Sequence, residues 1–324
     1  MTGAGPMVST LLRAWGSRLG AETRCDPWSD LHFVFRVAAR RADGTEQVYF
    51  LKDAGPANPQ GSPNRLASDI AVLRHLKTCG LPVALPEPTG GGQPFLQHGG
   101  RCYTLTPELP NSPSETAPNN RVYRNIGAAV ARLHNALASY PDPIDSWTMD
   151  LPPRILEEAL PVILRHQDAR QNEQLIEVLE TIRGPIERLS DLPSQHIHGD
   201  CHGGNILLAG DAVSGFVDLD HLPTGPRVYD LCCYLANDAV HYYKDPASSK
   251  AWIETAVQNL FAGYEQVNPL SGAEKDAVPY LILGFLLIKS AWFYEPLGLP
   301  DRAKEDMQLF YWMYANLNLV CASI

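Results

Sequence analysis

The chain has 324 residues, of which 45% are hydrophobic, so it is long enough to bury a large core and to form two domains or lobes. Its net charge of −10 argues against a general affinity for nucleic-acid phosphates and favours small cationic partners over anionic ones. Seven cysteines without a C-x-x-C spacing indicate reduced thiols in a cytoplasmic protein, and exclude a disulfide framework and a zinc site.

Neither a signal peptide nor a membrane span is predicted. Arg13 and Arg18 interrupt the apolar residues at the N-terminus. The longest apolar run, residues 277–288, is too short to cross a bilayer and predicts a buried helix. We therefore expect a soluble protein without a membrane partner, and the sequence leaves the oligomeric state open.

The N-terminal third of the chain has strand character. Residues 32–40 and 47–53 are rich in aromatic and β-branched side chains and flank a turn at 42–46, which predicts an antiparallel hairpin. Residues 64–79 carry leucine and isoleucine at helical spacing and predict a helix. Residues 101–109 predict a further strand.

A connector rich in proline, serine and asparagine follows at residues 110–120 and marks the boundary between two parts of the chain. The N-terminal part, 1–109, is a mixed β/α segment, and the C-terminal part, 110–324, is mostly helical. Helical patterns in the second part lie at 121–137, 153–166 and 169–189, and again after residue 229.

One stretch in the helical part, HIHGDCHGGNILLAGDAVSGFVDLD from residue 196, gathers groups that bind protons and metals. Asp200 precedes Asn205 by five residues, and Asp218 follows Asn205 by thirteen. Apolar residues at 206–208 and 215–217 predict a hairpin, which would fold Asp218 back beside Asn205. Carboxylate and amide oxygens of this kind suit Mg²⁺, which leaves its other positions to waters and phosphates.

Phosphoryl transfer from a nucleotide requires few further groups. It needs metal ions on the phosphates, a carboxylate that orients the attacking hydroxyl and accepts its proton, and a cation on the α- and β-phosphates. Lys52, at the end of the predicted strand VYFLKD, is the candidate for that cation.

The motif H-G-D-x-x-x-x-N at 198–205, followed by the strand-borne pair Val217-Asp218, is similar to the catalytic and metal loops of the aminoglycoside phosphotransferase and choline kinase family. Residues 225–231 (GPRVYDL), 103–109 (a hinge) and 127–137 (a helix) extend the resemblance over most of the chain. The resemblance implies an α+β, protein-kinase-like two-lobed fold, with a small antiparallel-sheet N-lobe and a larger, mainly helical C-lobe.

The same resemblance implies a role for each motif residue. Asp200 is the catalytic base, Asn205 and Asp218 bind Mg²⁺, and Lys52 binds the phosphates of ATP or GTP. Four further residues are expected to support the loops, either by orienting them or by satisfying their backbone groups: His198, His202, Asp220 and Asp230.

The nucleotide site departs from the family pattern in two places. Asp69 stands where the family usually has a glutamate that pairs with the lysine, and its side chain is one methylene shorter. There is no G-x-G-x-x-G, so the loop at 26–30, with Ser29 as a phosphate contact, is expected to cover the phosphates. Adenine is expected to pair with backbone groups of Pro107, Glu108 and Leu109, with Leu109 as the N–H donor because Pro107 has none.

Only twelve steps separate Asp218 from Asp230, too few for the activation and peptide-docking segment of protein kinases, so a small-molecule hydroxyl acceptor is favoured. Carboxylates and aromatic faces after residue 230 suit an ammonium group through charge pairing and cation–π contact. Candidate acceptors are an aminoglycoside or other antibiotic, a nucleoside, a sugar, homoserine and an amino alcohol. The predicted pocket residues are Tyr234, Asn237, Asp238, Trp292, Tyr294 and Glu295.

Three alternatives stay open. The central stretch also resembles bacterial stress-response kinases that act on protein serine and threonine. A metal-dependent hydrolase would use H-G-D-C-H as a ligand cluster for zinc or iron and would not need Lys52 or Asn205. A non-catalytic, kinase-shaped binding module would be expected to have lost the base or a metal ligand.

Overall fold

The alternating apolar residues of the N-terminal part form a five-stranded antiparallel sheet of order β1-β2-β3-β5-β4. The computed structural model describes residues 4–19, 23–29, 34–40, 44–56, 65–113 and 119–324. The strands of this sheet are β1 (Thr23–Ser29), β2 (Val34–Arg40), β3 (Glu46–Pro56), β4 (Leu96–His98) and β5 (Arg101–Pro107).

The predicted hairpin is β2 and β3, which pair antiparallel from Val34 opposite Lys52 to Arg40 opposite Glu46. Residues 41–43, in the predicted turn, lie outside the described part of the chain. Because β5 pairs with the other edge of β3 and sets Thr104 opposite Lys52, this lysine lies in a central strand. A central strand is held by hydrogen bonds on both edges, which fixes the position of the lysine backbone.

The predicted helix and the last predicted strand of this part are also confirmed. Helix α2 spans Arg65–Thr78 and buries Ile70, Val72 and Leu76, as its spacing of apolar residues requires. Strand β5 ends at Pro107, two residues before the predicted end of the strand.

An N-terminal helix that the sequence did not indicate packs on this sheet. Helix α1 spans Ala4–Leu12 and continues into a 3₁₀ turn at Arg13–Arg18. Trp15 is fully buried, and its indole Nε1 donates a hydrogen bond to the carbonyl oxygen of Glu87 (2.9 Å). The apolar core that the helix and the sheet form together consists of Val8, Leu11, Leu12, Trp15, Leu19, Phe35, Val37, Ala39, Tyr49, Leu51, Tyr103 and Leu105.

The chain divides into two units, and the division differs from a single cut at residue 109. The first unit consists of Met1–Asn111, Tyr140–Asp145 and Ser214–Asp220. The second consists of Ser112–Ser139, Ser146–Val213 and His221–Ile324. Two later segments therefore belong with the N-terminal sheet, and one of them carries Asp218 and Asp220.

The second unit is mainly helical. Its helices are α3 (Asn120–Ala138), α4 (Leu151–Pro153), α5 (Leu160–His166), α6 (Ala169–Glu187), α7 (Val228–Ala239), α8 (Pro246–Trp252), α9 (Gln258–Glu265), α10 (Gly272–Tyr294), α11 (Pro300–Ala315) and α12 (Leu317–Ala322). A π-helical segment, Arg154–Ala159, joins α4 to α5, and a second one, Ile253–Val257, joins α8 to α9. A 3₁₀ turn at Arg188–Asp191 follows α6.

Helix α10 is the central helix of this unit. It contains the apolar run 277–288 and extends beyond it on both sides. By length and composition alone, the whole helix is long and apolar enough to cross a membrane. Its apolar window is 72% buried inside the structure, as expected for the core helix of a soluble protein. Ser271 caps its N-terminus in a capping box with Glu274.

Short strands interrupt the helices. They are β6 (Ser112–Pro113), β7 (Ser194–His196), β8 (Ile206–Gly210), β9 (Ala212–Phe216) and β10 (Thr224–Pro226). Strands β8 and β9 are the predicted hairpin, with a tighter turn than expected at Asp211. The architecture is the α+β, kinase-like fold that the resemblance implied.

Candidate active site

The loop at 197–205 carries the predicted catalytic residues and lies between β7 and β8. Strand β7 pairs antiparallel with β10, so that His196 faces Thr224. Gly199 has a φ of 80°, and a Cβ there would lie 2.5 Å from Cγ of Pro223. Only glycine fits this position, because both the backbone conformation and the neighbouring ring exclude a side chain.

Asp200 is held by its neighbour in the motif and remains open to solvent. Asn205 donates from Nδ2 to the carbonyl oxygen of Asp200 (2.9 Å) and to its carboxylate Oδ2 (3.1 Å). The Asp200 side chain is 64% exposed, whereas Asn205 is buried. Asn205 thus fixes the orientation of the carboxylate, and solvent can still reach it. A group that accepts a proton from a bound hydroxyl must be both oriented and accessible.

His202 folds back over the loop and faces the same carboxylate. Its Nδ1 accepts a hydrogen bond from the backbone N–H of Gly204 (2.9 Å), so in the neutral ring the proton lies on Nε2. Nε2 lies 3.6 Å from Oδ2 of Asp200. A Cβ on Gly204 would lie 2.7 Å from Cε1 of His202, so glycine at 204 allows the ring to fold over the backbone.

The surroundings of Asp200 keep it ionised. Partial burial alone would raise the pKa of this carboxyl group, because it disfavours the charged form. The close approach of Nε2 of His202, the charges of His202 and His198 and the hydrogen bond from Asn205 outweigh that effect, so the pKa lies below its ordinary value. Asp200 is therefore a carboxylate at neutral pH and free of the proton that it would have to accept.

Asp230 anchors the start of the loop from below. Its Oδ2 accepts the backbone N–H of His198 (2.8 Å), and its Oδ1 accepts that of Gly199 (2.8 Å). Oδ2 also accepts from Nε2 of His134 (2.9 Å), whose Nδ1 bonds to the hydroxyl of Tyr264 (2.8 Å). Asp230 and His134 are fully buried. Burial alone raises the pKa of Asp230, but these donors and the charges of both histidines lower it overall.

The helix that carries Asp230 is itself tied to the central helix. Arg227, at the N-cap of α7, donates from Nε and Nη2 to the carboxylate of Glu274 (2.7 and 3.0 Å). Arg227 also binds Asn268 and the carbonyl oxygen of Pro269. The GPRVYDL segment thus uses its arginine to fix the helix and its aspartate to fix the catalytic loop.

The first unit holds a second charged group around Lys52. Its Nζ lies 2.7 Å from Oδ1 of Asp218 and 3.2 and 3.3 Å from the two oxygens of Asp220. Burial lowers the pKa of Lys52, but the two carboxylates raise it overall, so the ammonium stays charged. The group brings together one cation and two carboxylates from distant parts of the sequence.

Backbone contacts set the position of Asp218. Phe216 donates its N–H to the carbonyl oxygen of Pro82 (2.9 Å) and forms a parallel bridge with Val83. Asp218 follows with a φ of 57°, in the left-handed region that aspartate and asparagine tolerate better than most residues. Non-glycine residues in this region cluster at functional sites, where the surrounding structure holds them.

Each of the two predicted Mg²⁺ ligands carries a side-chain oxygen. Among the hydrogen bonds of the described residues, Asn205 uses only its Nδ2 from the side chain, which leaves Oδ1 as an oxygen donor. Asp218 uses Oδ1 toward Lys52. Hard oxygens of this kind fit Mg²⁺. In the described part of the chain no three His, Cys, Asp or Glu side chains are grouped to hold a metal.

The structure places the other predicted nucleotide residues as follows. Asp69 lies on the buried face of α2, while the ion pairs of Lys52 are with Asp218 and Asp220, so a Lys52–Asp69 pair stays a prediction. Ser29 ends β1, and its side chain lies outside the described part of the molecule.

The hinge leaves one backbone donor available. Glu108 donates its N–H to the carbonyl oxygen of Val48 (2.9 Å), and its side chain pairs with Arg36 (3.3 Å). No hydrogen bond in the described part of the chain uses the N–H of Leu109, the residue that follows. Leu109 therefore fits the predicted adenine contact better than Glu108, and Pro107 has no N–H to offer.

A cavity of about 1020 Å³ lies within the second unit, with Asp200 and His202 in its lining. Three of the six predicted pocket residues also line it: Asn237, Trp292 and Glu295. Further lining residues that the sequence analysis did not select include Trp147, Arg154, Glu158, Tyr229, Phe285, Lys289 and Phe293. The cavity combines aromatic surface with both signs of charge, as small-molecule sites do.

The other three predicted pocket residues do not line this cavity. Asp238 is partly buried, and its Oδ2 accepts hydrogen bonds from the hydroxyl of Tyr123 and from Nε1 of Trp252 (both 2.7 Å). These two donors give the carboxylate a structural role between helices.

Tyr234 and Tyr294 are likewise part of the packing. Tyr234 is buried on α7. Tyr294 is buried at the end of α10 and stacks on His166, with ring centroids 4.7 Å apart and an angle of 9° between the planes. The neighbouring residues at 292 and 295 point toward the cavity instead, because successive helix positions face different directions.

Comparisons with known proteins agree with this geometry. A family model described as the phosphotransferase enzyme family APH matches residues 31–270. Homoserine kinase of Agrobacterium fabrum is 29% identical over 255 residues, which are 76% of this chain and 75% of that protein. Homoserine kinase of Methylobacterium nodulans is 27% identical over 249 residues, 74% of this chain and 73% of that protein.

Solved structures show the same fold. An amicoumacin kinase in complex with AMP-PNP and Ca²⁺ aligns with a TM-score of 0.71 at 17% identity, covering 96% of this chain and 93% of that chain. A microcompartment-associated aminopropanol kinase aligns with a TM-score of 0.68 at 15% identity, covering 96% and 95%. The fold and the site define a phosphotransferase that acts on a hydroxyl group of a small molecule. The chain belongs to the APH phosphotransferase family.

Proposed function

We propose that the protein transfers the γ-phosphoryl group of ATP to the hydroxyl of a small acceptor held in the cavity of the second unit. The observation that carries this proposal is Asp200. Its carboxylate lines the cavity, is exposed to it, and is ionised at neutral pH. A concave site with the base in its wall suits a small acceptor better than a protein segment.

The chemistry assigned to the chain is simple. As the acceptor oxygen attacks the γ-phosphorus, its proton passes to Asp200, and the bond from phosphorus to the β-phosphate oxygen breaks to release ADP. Asn205 keeps the carboxylate oriented, and Asp230 keeps the loop in place. Lys52 offers a positive charge for the nucleotide phosphates.

Asn205 and Asp218 are the proposed ligands of Mg²⁺, which when bound would neutralise charge on the phosphates. ATP is proposed as the donor because the amicoumacin kinase was solved with an adenine nucleotide analogue and a divalent cation. The N–H of Leu109 is the proposed contact to adenine.

Homoserine is the first acceptor to test, since the relatives named above are homoserine kinases. A biosynthetic role follows more directly from these relatives than a role in antibiotic resistance. The cavity lies at the upper end of the usual size range for small-molecule sites, so larger amino-bearing acceptors belong in the same test.

The test is mass spectrometry of reactions with MgATP and a panel of hydroxylated acceptors. The panel contains homoserine, amino alcohols, aminoglycosides, nucleosides and a generic protein substrate, and each is run beside Asp200→Asn. We expect one class of small acceptor to gain a phosphoryl group with the unaltered protein only, while Asp200→Asn still binds MgATP. Undiminished transfer by Asp200→Asn would remove Asp200 as the base, and transfer to protein alone would favour the stress-response type of kinase.

A further inference from the structure

Some charged side chains that line the cavity form ion pairs with other residues of the protein, and others do not. Glu295 is paired with Arg165 (2.6 Å) and lies 3.6 Å from Nε2 of His166. Lys289 is paired with the buried carboxylate of Asp306 (3.1 Å). Each of these lining residues already has a partner of opposite charge, so neither requires one from a ligand.

Arg154 and Glu158 differ from them. Both line the cavity, and among the described residues neither side chain forms an ion pair. The guanidinium of Arg154 lies over the ring of Trp147, 4.7 Å from its centroid. The indole Nε1 of Trp147 donates to the carbonyl oxygen of His221 (3.1 Å), which holds the ring in place. Packing against the indole therefore positions the guanidinium of Arg154, and its positive charge can still pair with a negative group of a ligand.

These two opposite charges lie four positions apart on the same π-helical segment, Arg154–Ala159. Residues at this spacing commonly pair on a regular helix. Among the described residues, Arg154 and Glu158 do not form an ion pair with each other, and Arg154 packs against Trp147 instead. One wall of the cavity thus offers a positive and a negative group that are not satisfied by each other.

We propose that Arg154 determines acceptor specificity by binding an acidic group of the acceptor, and that Glu158 receives its ammonium group. The acceptor would then be a hydroxylated amino acid, with its hydroxyl at Asp200. This inference rests on the proposed kinase function and narrows it, because neither an amino alcohol nor an aminoglycoside requires a carboxylate site.

The local electrostatics agree with this placement. Burial raises the pKa of Tyr229, another lining residue, while the charge of Arg154 lowers it and that of Asp200 raises it. Both charges therefore lie within electrostatic range of one tyrosine.

Three small probes separate the groups of the acceptor. L-homoserine carries a carboxylate, an ammonium and a primary hydroxyl. 3-Aminopropan-1-ol lacks only the carboxylate, and 4-hydroxybutanoate lacks only the ammonium. We would measure kcat/KM for each with MgATP, for the unaltered protein and for Arg154→Gln, Arg154→Lys and Glu158→Gln.

Matched controls are available in the same unit. Arg170→Gln removes an exposed arginine on α6, and Glu157→Gln removes the exposed neighbour of Glu158; neither residue lines the cavity. Thermal unfolding of each variant and its KM for MgATP report whether the fold and the nucleotide site are intact.

We expect Arg154→Gln to lower kcat/KM for homoserine by about 10- to 100-fold, the loss of a charge-assisted hydrogen bond, with little change for 3-aminopropan-1-ol. Arg154→Lys should restore part of the loss, because it keeps the charge without the bidentate geometry. Glu158→Gln should act on homoserine and 3-aminopropan-1-ol and leave 4-hydroxybutanoate unaffected. Both controls should match the unaltered protein.

An equal loss on all three probes with Arg154→Gln would show a structural role and overturn the inference. Transfer by the unaltered protein to 3-aminopropan-1-ol in clear preference to homoserine would overturn it while leaving the kinase function intact. If none of the probes is phosphorylated, homoserine binding in the presence of MgADP is measured by calorimetry. Binding that Arg154→Gln abolishes supports the carboxylate site and puts the reaction in doubt, and no binding overturns the inference.

Discussion

Asp230→Asn is the sharpest test of how the catalytic loop is held. The carboxylate accepts three hydrogen bonds, from the backbone N–H groups of His198 and Gly199 and from Nε2 of His134. Asparagine has the same shape but only one oxygen. If that oxygen faces Gly199, the amide Nδ2 replaces the oxygen that faced His198 and His134.

The cost follows from what each partner can do. His134 can move its proton to Nδ1, donate to the hydroxyl of Tyr264, and accept from the new amide at Nε2. The backbone N–H of His198 cannot change, so it is left facing another donor. One buried, unsatisfied donor costs about 1–3 kcal/mol. Asp230→Ala would strand all three donors and cost several times more, enough to threaten folding.

The assay is urea unfolding followed by tryptophan fluorescence, together with steady-state kinetics. We expect Asp230→Asn to lose about 1–3 kcal/mol of unfolding free energy. A displaced loop carries Asp200 with it, so kcat should fall by about 10- to 100-fold with a smaller change in KM for MgATP. Asp191→Asn, at an exposed aspartate in the same unit, serves as the control and should change neither quantity.

The reasoning would be refuted by a variant with unchanged kcat, whatever its stability. Such a result would mean that the loop keeps its position without the carboxylate. If Asp230→Asn alone kept its stability and only the double variant Asp230→Asn/His134→Gln lost it, His134 would compensate completely for the lost oxygen.

Two further predictions concern a carboxylate at the start of α10 and one at the proposed metal site. Burial alone raises the pKa of Glu274, but Arg227 and Ser271 lower it overall, so its contribution to stability is complete above the ordinary glutamate pKa and is lost as the pH falls through the lowered value. The stability difference between the unaltered protein and Glu274→Gln should therefore shrink in urea titrations on going from neutral to acidic pH, and a constant difference would contradict it. Asp218→Asn should raise the Mg²⁺ concentration needed for half-maximal activity by at least about 10-fold, the cost of losing even an outer-shell partner, and an unchanged Mg²⁺ dependence would remove Asp218 as a ligand.

The sequence predicted those helices and strands whose formation depends mainly on residues close together in the chain. The hairpin of β2 and β3, the helix α2 and the strand β5 each follow from a periodicity over a few residues. The loop at 197–205 could be singled out as the candidate catalytic loop because its residues are adjacent in sequence and its spacing is distinctive.

Helix α1 could not be found in this way. Its sequence, AGPMVSTLL, contains glycine and proline near its start and would be a poor helix in isolation. Packing of Leu11 and Trp15 against the sheet stabilises it, and that contribution depends on residues far along the chain.

The residues that line the cavity of the second unit were predicted only in part for the same reason. Asp238 looked available from the sequence, but its donors come from Tyr123 and Trp252, and no sequence pattern links these three positions. Arg154 and Glu158 have the spacing of an ordinary surface pair on a helix, and the sequence does not show that both line a cavity or that Arg154 packs on Trp147.

The left-handed backbone at Asp218 limits which residues can replace it. Glycine and asparagine accept a φ of 57° with little strain, whereas alanine and β-branched residues do not. Few substitutions at this position are therefore compatible with the fold. Asparagine or glycine at 218 would keep this backbone conformation while removing the carboxylate that is proposed to bind Mg²⁺.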